Sequence, residues 1–260
     1  MRRIAGFAYG SVSYVIFLVT FLYAVGFIGN FGVPKSLDSA AAGPWTTALA
    51  IDVGLLALFA LQHSVMARRG FKSFLTRFIT PALERSTYVL ASSLALLLLF
   101  WLWRPLGGVV WDVQNPIGRI LLYGGFAFGW ALVLLATVVI NHFDLFGMRQ
   151  VWRYLQGKPH TGLQFVTPVL YRVVRHPLYV GWFCAFWFTP TMTVTHLFFA
   201  LMTSAYILIA IQLEERDLIK EHPEYAAYRK QVPMLIPSLP KQVSSLNTSA
   251  TAPAVKGARV

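Results

Sequence analysis

The strongest constraint on this chain is the length of its uncharged runs. Residues 4–34 carry no formal charge, and residues 177–213 make a second such run of 37 residues. A hydrocarbon core about 30 Å thick is crossed by about 20 apolar residues in a helix, because no water is there to satisfy the backbone N–H and C=O groups. The first run is about twice the apolar core of a signal peptide, roughly 7–15 residues, so it reads as a retained anchor behind Arg2 and Arg3. Residues 45–66, 86–103 and 120–141 are three further stretches of spanning length. The 37-residue run would reach about 55 Å as one helix, so it must double back. Thr189-Pro190-Thr191 is the natural bend, since proline removes a donor and clashes inside a helix. Its first arm, 177 to about 192, would cover only about 24 Å, with a start recessed below the headgroups. The expected fold is an all-α integral membrane protein with about six spans, four plus a carboxy-terminal helical hairpin.

Composition agrees. Charged residues are 12% and hydrophobic ones 57% of the chain, against about 25% charged in ordinary soluble domains. A soluble hydrolase is thereby excluded. The single cysteine, Cys184, excludes a disulfide framework or a cysteine-cluster metal site. The net charge of +12 is spread between apolar runs rather than gathered on one soluble face, so lipids rather than nucleic acid are the expected partner. Placing the amino terminus and alternate loops in the cytoplasm puts 12 Lys and Arg there against only Lys35, Arg104 and Arg119 outside. The positive-inside rule therefore predicts cytoplasmic termini, in a bacterial inner membrane. Phe71, Phe74, Leu75, Phe78 and Ile79 recur opposite Arg69, Lys72 and Arg77, which predicts an interfacial amphipathic helix before Pro81. Half of the acids follow Leu213, marking a water-facing segment, and residues 244–260 read as a disordered tail. Three regions result: 1–141 with four spans, 142–240 with loop, hairpin and cytoplasmic helix, and the tail 241–260.

Most of the informative polar residues fall on the cytoplasmic side. Arg175-His176-Pro177-Leu178-Tyr179-Val180-Gly181 closes a basic loop and opens an apolar helix, with Pro177 suited to its first turn. A helix start with free N–H groups beside an arginine suits a carboxylate or phosphate. Glu214-Glu215 ends the returning arm, and a hairpin brings its two ends together. An acidic and a basic flank around one pocket suits an amino-acid headgroup. There is no Gly-x-Gly-x-x-Gly, P-loop or His-Glu-x-x-His.

Those residues, with Glu224-Tyr225-Ala226-Ala227-Tyr228-Arg229-Lys230-Gln231-Val232-Pro233 and Ile236-Pro237, resemble the isoprenylcysteine carboxyl methyltransferase and phospholipid methyltransferase superfamily. The resemblance covers roughly residues 160–238. In the amino-terminal half, Tyr23-Ala24-Val25-Gly26-Phe27 and Val33-Pro34-Lys35-Ser36-Leu37-Asp38 look like the bacterial methanethiol S-methyltransferase group. The resemblance implies S-adenosylmethionine as donor, held by Arg175, His176, Tyr179, Gly181, Glu214 and Glu215 at a cytoplasmic cofactor-binding segment, and a small thiol as acceptor. Relatives often carry a His-x-Leu-Val-Thr-Ser-Gly-x-Tyr stretch before the arginine. Here Leu163-Gln164-Phe165-Val166-Thr167-Pro168-Val169-Leu170-Tyr171 stands in its place, so no cofactor contact carries over, and His160 is the available substitute for the missing histidine.

A thiol with a pKa of about 8.5 or above is mostly protonated at neutral pH, so a base is expected. The polar groups of suitable depth are His63, His142 beside Asp144, and Asp52, which faces the same side of its helix as His63. An intramembrane carboxylate usually faces a bundle interior. Trp182, Phe183, Phe186 and Trp187 either present an aromatic face to a sulfonium or simply pack. His196 and His222 read as structural and surface residues. Isoprenylcysteine carboxyl or phospholipid amine remains open as the acceptor. From other classes, an NADPH-dependent membrane reductase or a non-catalytic membrane accessory protein remains open. The sequence does not fix the oligomeric state.

Overall fold

The computed structural model describes residues 1–41, 43–159 and 169–237. Its elements run α1 (Arg2–Gly29), α2 (Trp45–Ala67), α3 (Arg69–Leu75), a single 3-10 turn (Pro81–Leu83), α4 (Glu84–Leu102), β1 (Val109–Asp112), α5 (Pro116–Ile140), α6 (His142–Leu145), α7 (Met148–Leu155), α8 (Val169–Val173), α9 (Pro177–Trp187), β2 (Thr191–Thr193), α10 (Val194–Glu221) and α11 (Tyr225–Gln231). The expected tail over 244–260, and His160, lie outside the described residues.

Among the described residues, α1, α2, α4 with its preceding turn, α5 and α10 are long and apolar enough to cross a bilayer. Their ends follow local chemistry. α1 stops where Asn30 adopts a left-handed conformation (φ 60°), which asparagine tolerates better than most residues. α5 starts on Pro116, with the Asn115 side chain accepting from the Gly118 N–H, a standard N-terminal cap.

The sixth apolar segment behaves differently. The chain reverses around Pro190 as anticipated, but α9 has only 11 residues, about 16 Å, rather than the expected 24 Å. A residue before proline is driven out of the helical region, so the helix closes at Trp187. Residues 191–193 then pair antiparallel with β1, a ladder that the apolar pattern does not announce. The amphipathic stretch after α2 is a seven-residue α3 followed by turns, with the exposed Phe74 and Phe78 rings edge to face.

α5 and α9 touch backbone to backbone. A Cβ built on Gly129 would lie 2.7 Å from both Gly181 O and Ala185 N, the close approach that small residues permit between membrane helices. On the other side α1 receives α7, with Val151 against Gly10 and Tyr154 against Gly6. Phe27, Leu37, Leu99, Trp103 and Ile211 are fully buried between these layers.

Hydrogen bonds tie the loops of one end together. Asp38 accepts from the Thr193 hydroxyl and lies 3.1 Å from His196 Nδ1, while His196 Nε2 donates to Phe186 O over 2.9 Å. Leu106 N donates to Thr195 Oγ1 and Trp103 Nε1 to Leu37 O. His196 is thus a structural bridge, as its sequence position predicts. Lys35, Arg104 and Arg119 belong to this end; α3, α7, α11 and the start of α9 belong to the other, where Arg68 pairs with Asp217 at 2.7 Å.

Candidate active site

The three motif elements fold into one network centred on Glu215. Glu215 is buried on α10, with Oε1 2.8 Å from Arg175 Nε and 3.0 Å from His176 Nε2, and Oε2 3.0 Å from Arg229 Nε. The Tyr225 hydroxyl donates to the same carboxylate over 3.4 Å. Tyr225, Tyr228 and Arg229 share one face of α11 because residues three and four apart are helical neighbours. Arg175 also donates through Nη1 to the Arg229 and Val232 carbonyls, closing the carboxyl end of α11 in the way a cation favours.

Just ahead of α9, the Arg175 and His176 N–H groups donate to the Pro233 and Met234 carbonyls. The Val232–Pro233 end of the third motif thus serves to seat the first. The Tyr228 hydroxyl donates to Tyr171 O. Burial above all pushes it up to about 12, with Arg175 opposing and Glu215 adding, so it remains a neutral donor at physiological pH.

Glu214 is turned the other way. Adjacent helical residues are about 100° apart, so burying Glu215 leaves Glu214 exposed, where its Oε2 accepts from the Tyr179 hydroxyl over 2.9 Å. The structure therefore brings Arg175, His176, Tyr179, Glu214 and Glu215 together, with one carboxylate internal and one open. Gly181 points elsewhere: an added Cβ would meet Gly129 O at 2.8 Å, so this position serves the α5–α9 contact.

His63 sits on α2 facing α4. Its Nδ1 is 3.2 Å from Ser92 Oγ, and the Tyr88 hydroxyl is 2.8 Å from Nε2. Phe59 stacks on the imidazole with ring centroids 5.2 Å apart. The next residue of α2, Ser64, bonds the Tyr206 hydroxyl of α10 at 3.1 Å. His63 and Tyr88 thus lie where α2 meets α4, and Ser64 and Tyr206 where α2 meets α10, the helix that carries Glu214. Sequence reading omits Tyr88, since a tyrosine inside an apolar run carries no signal of its own; only its partner 25 residues away reveals it.

Asp52 and His142 are placed elsewhere. Asp52 is fully buried 11 residues before His63, about 16 Å along the axis. Its Oδ1 accepts from the Arg104 N–H over 2.9 Å just beyond α4. Like His63 it faces α4, but at the opposite end of the bundle. Lys35, whose Nζ donates to Trp101 O, is held below the usual lysine range by burial first and then by Arg104, with Asp52 opposing. His142 lies between α1 and α5, its ring nitrogens on Tyr14 Oη (2.8 Å) and Thr137 Oγ1 (2.9 Å). Burial lowers its pKa. The aromatic residues of α9 pack. Trp182 sits edge-on to Trp130 and stacked on Phe186, and Trp187 Nε1 donates to Ser204.

Neither a family model nor a solved structure matches the chain. Among curated proteins, the methanethiol S-methyltransferase of Crocosphaera subtropica is 59% identical over 90% of this chain and 92% of the relative. That of Mycobacterium tuberculosis is 51% identical over 91% and 98%. Nurim of Sus scrofa is 31% identical over 72% and 78%. With about half or more of its residues shared along nine-tenths of its length, the chain belongs to the methanethiol S-methyltransferase family.

Proposed function

We propose that this protein transfers a methyl group from S-adenosylmethionine to a small thiol, methanethiol, giving dimethyl sulfide. The activity for which its relatives are named supports the reaction. The observation that carries it onto this chain is the gathering of its three motif elements into one network, with Glu215 buried against Arg175 and His176 and the Glu214 carboxylate left open on the Tyr179 phenol.

The donor set has the right chemistry for the cofactor. Glu214 and Tyr179 would take its ammonium group or ribose hydroxyls. Arg229, 43% exposed, is the solvent-reaching cation of the network and would take its carboxylate. Arg175, His176 and Glu215 act beneath them by fixing α9, α10 and α11 against one another, and Gly181 by holding α9 on α5. When bound, S-adenosylmethionine supplies a methyl group on a sulfonium, whose reaction with a thiolate consumes two opposite charges and is favoured where water is scarce.

His63 is the residue we assign to deprotonate the thiol. Of the three polar groups of suitable depth, it alone stands beside a contact with α10, the helix of Glu214, through the neighbouring Ser64 and Tyr206; Asp52 and His142 then serve the helix ends where they sit. The charge distribution supports delivery of the donor from the cytoplasm in a bacterial inner membrane, with methanethiol entering through the lipid. Purified protein given S-adenosylmethionine and methanethiol should release dimethyl sulfide, measured by headspace gas chromatography. Methylation of a prenylcysteine or a phospholipid in its place would overturn the thiol assignment.

A further inference from the structure

We infer that Phe59 and Tyr206 determine acceptor specificity, as paired rings that admit a small thiol to His63 and exclude larger ones. The inference rests on the thiol-methylation reading above. An acceptor must reach the base on α2 and a donor held from α10, so it binds where those two helices meet. Tyr206 stands near the middle of α10, and Glu214 lies eight residues further on, about 12 Å along the axis. The meeting place is therefore deeper in the bilayer than the open carboxylate, at a level that an apolar thiol reaches from the lipid.

Phe59, Ser64 and Tyr206 bridge the two helices beside His63. Phe59, one turn before His63, stacks on the imidazole with ring centroids 5.2 Å apart, and meets the Tyr206 ring edge to face at 6.4 Å and 69°. One ring thus touches both the base and the facing helix. The Tyr206 hydroxyl bonds Ser64 at 3.1 Å. No water in the hydrocarbon replaces that partner, so the bond holds the phenol across the seam. Both rings are half-buried while their neighbours Leu58, Met202 and Ile209 are exposed, so the seam faces lipid. Toward the cytoplasm, Arg68 and Asp217 close it with an ion pair. Aromatic side chains turn about only two torsions and do not fold aside as long aliphatic ones do. Methanethiol presents one methyl group to these walls, and each added methylene must displace a ring or stay out.

The test is the ratio of kcat/KM for butanethiol to that for methanethiol, measured on the full chain with S-adenosylmethionine. Wild type should favour methanethiol by about tenfold or more, the discrimination that a pocket shows against even one excess methylene. Tyr206→Ala and, separately, Phe59→Leu should each raise the ratio by about tenfold or more. Both should bind S-adenosylhomocysteine as wild type does, by calorimetry. Tyr206→Phe, which keeps the ring and loses only the bond to Ser64, should keep the wild-type ratio. An unchanged ratio in both ring variants, with the two thiols losing rate together, would make the pair packing residues and overturn the inference. A wild type that takes both thiols equally would overturn it, as would a Tyr206→Phe protein whose ratio rises as far as that of Tyr206→Ala. Weakened S-adenosylhomocysteine binding in step with the rate would place the rings at the donor and overturn it too. A wild type inactive toward every thiol would instead remove the thiol reading on which the filter stands.

Discussion

Glu214 and Glu215 are adjacent in sequence and should fail in opposite ways when each is changed to glutamine. In Glu215→Gln the shape survives but Arg175 and His176, with side chains 10% and 6% exposed, lose their charged acceptor. Removing one partner of a buried pair costs about 3–5 kcal/mol. Arg229 contributes little to that sum because it is 43% exposed and water screens it, and Arg175 keeps its bonds to the Arg229 and Val232 carbonyls. The lower end, about 3 kcal/mol, is therefore the expected loss. At about 2–4 °C per kcal/mol for a domain of this size, the thermal midpoint should fall by about 6–12 °C. The chain carries its own reporter: Cys184 on α9 is the one cysteine and is partly buried, so a dye that fluoresces on reacting with thiols reads unfolding in detergent. Glu214→Gln removes an exposed charge and should move the midpoint by no more than about 2 °C, as surface substitutions do, while weakening S-adenosylhomocysteine binding at least tenfold. A Glu215→Gln protein that melts like wild type, or a Glu214→Gln protein that melts early with its affinity intact, would refute this division between the two carboxylates.

Three further outcomes follow from other parts of the bundle. Gly129→Ala should destabilise by about 1–3 kcal/mol or more, read by the same dye, because its Cβ would press on the Gly181 and Ala185 backbone, which has nowhere to move. His142 has a folded pKa lowered by burial, so its stabilising effect is complete above about 6.5 and is lost as pH falls through the lowered value. Compared with His142→Gln, wild type should therefore lose more of its thermal midpoint between pH 7.5 and 5, and parallel curves would refute this. With Cys184 replaced, a cysteine at Ser36 should react with an impermeant reagent added outside intact cells and one at Ser73 should not; the reverse would overturn the assigned orientation.

The spans and the reversal at Pro190 were legible because bilayer thickness and proline geometry act on any chain, whatever its partners. The length of α9 was not, since apolar residues continue through Phe188 and the helix ends where 191–193 pair with β1. The two glutamates were legible as a pair but not in their division of labour, which is decided only when Arg175 docks on one of them. The third motif was visible as a resemblance, while its task of holding the Arg175 and His176 N–H groups emerges only in three dimensions. Asp52 lies only seven residues from the start of α2, a position that already sets it near the far end. Tyr88 becomes meaningful only beside His63.

Hydrophobic mismatch acts on this fold through α10 rather than α9. His176, at the start of the short helix, meets Glu215, 21 residues and about 31 Å along α10 from Val194 beside the β1–β2 ladder, about the thickness of a 30 Å hydrocarbon layer. Residues 188–193 supply the length that α9 lacks, so α10 alone sets how far the Glu215 network stands from the ladder. A thinner or thicker bilayer would alter the tilt of that helix at a fraction of a kcal/mol per Å, and membrane composition becomes a parameter of the enzyme.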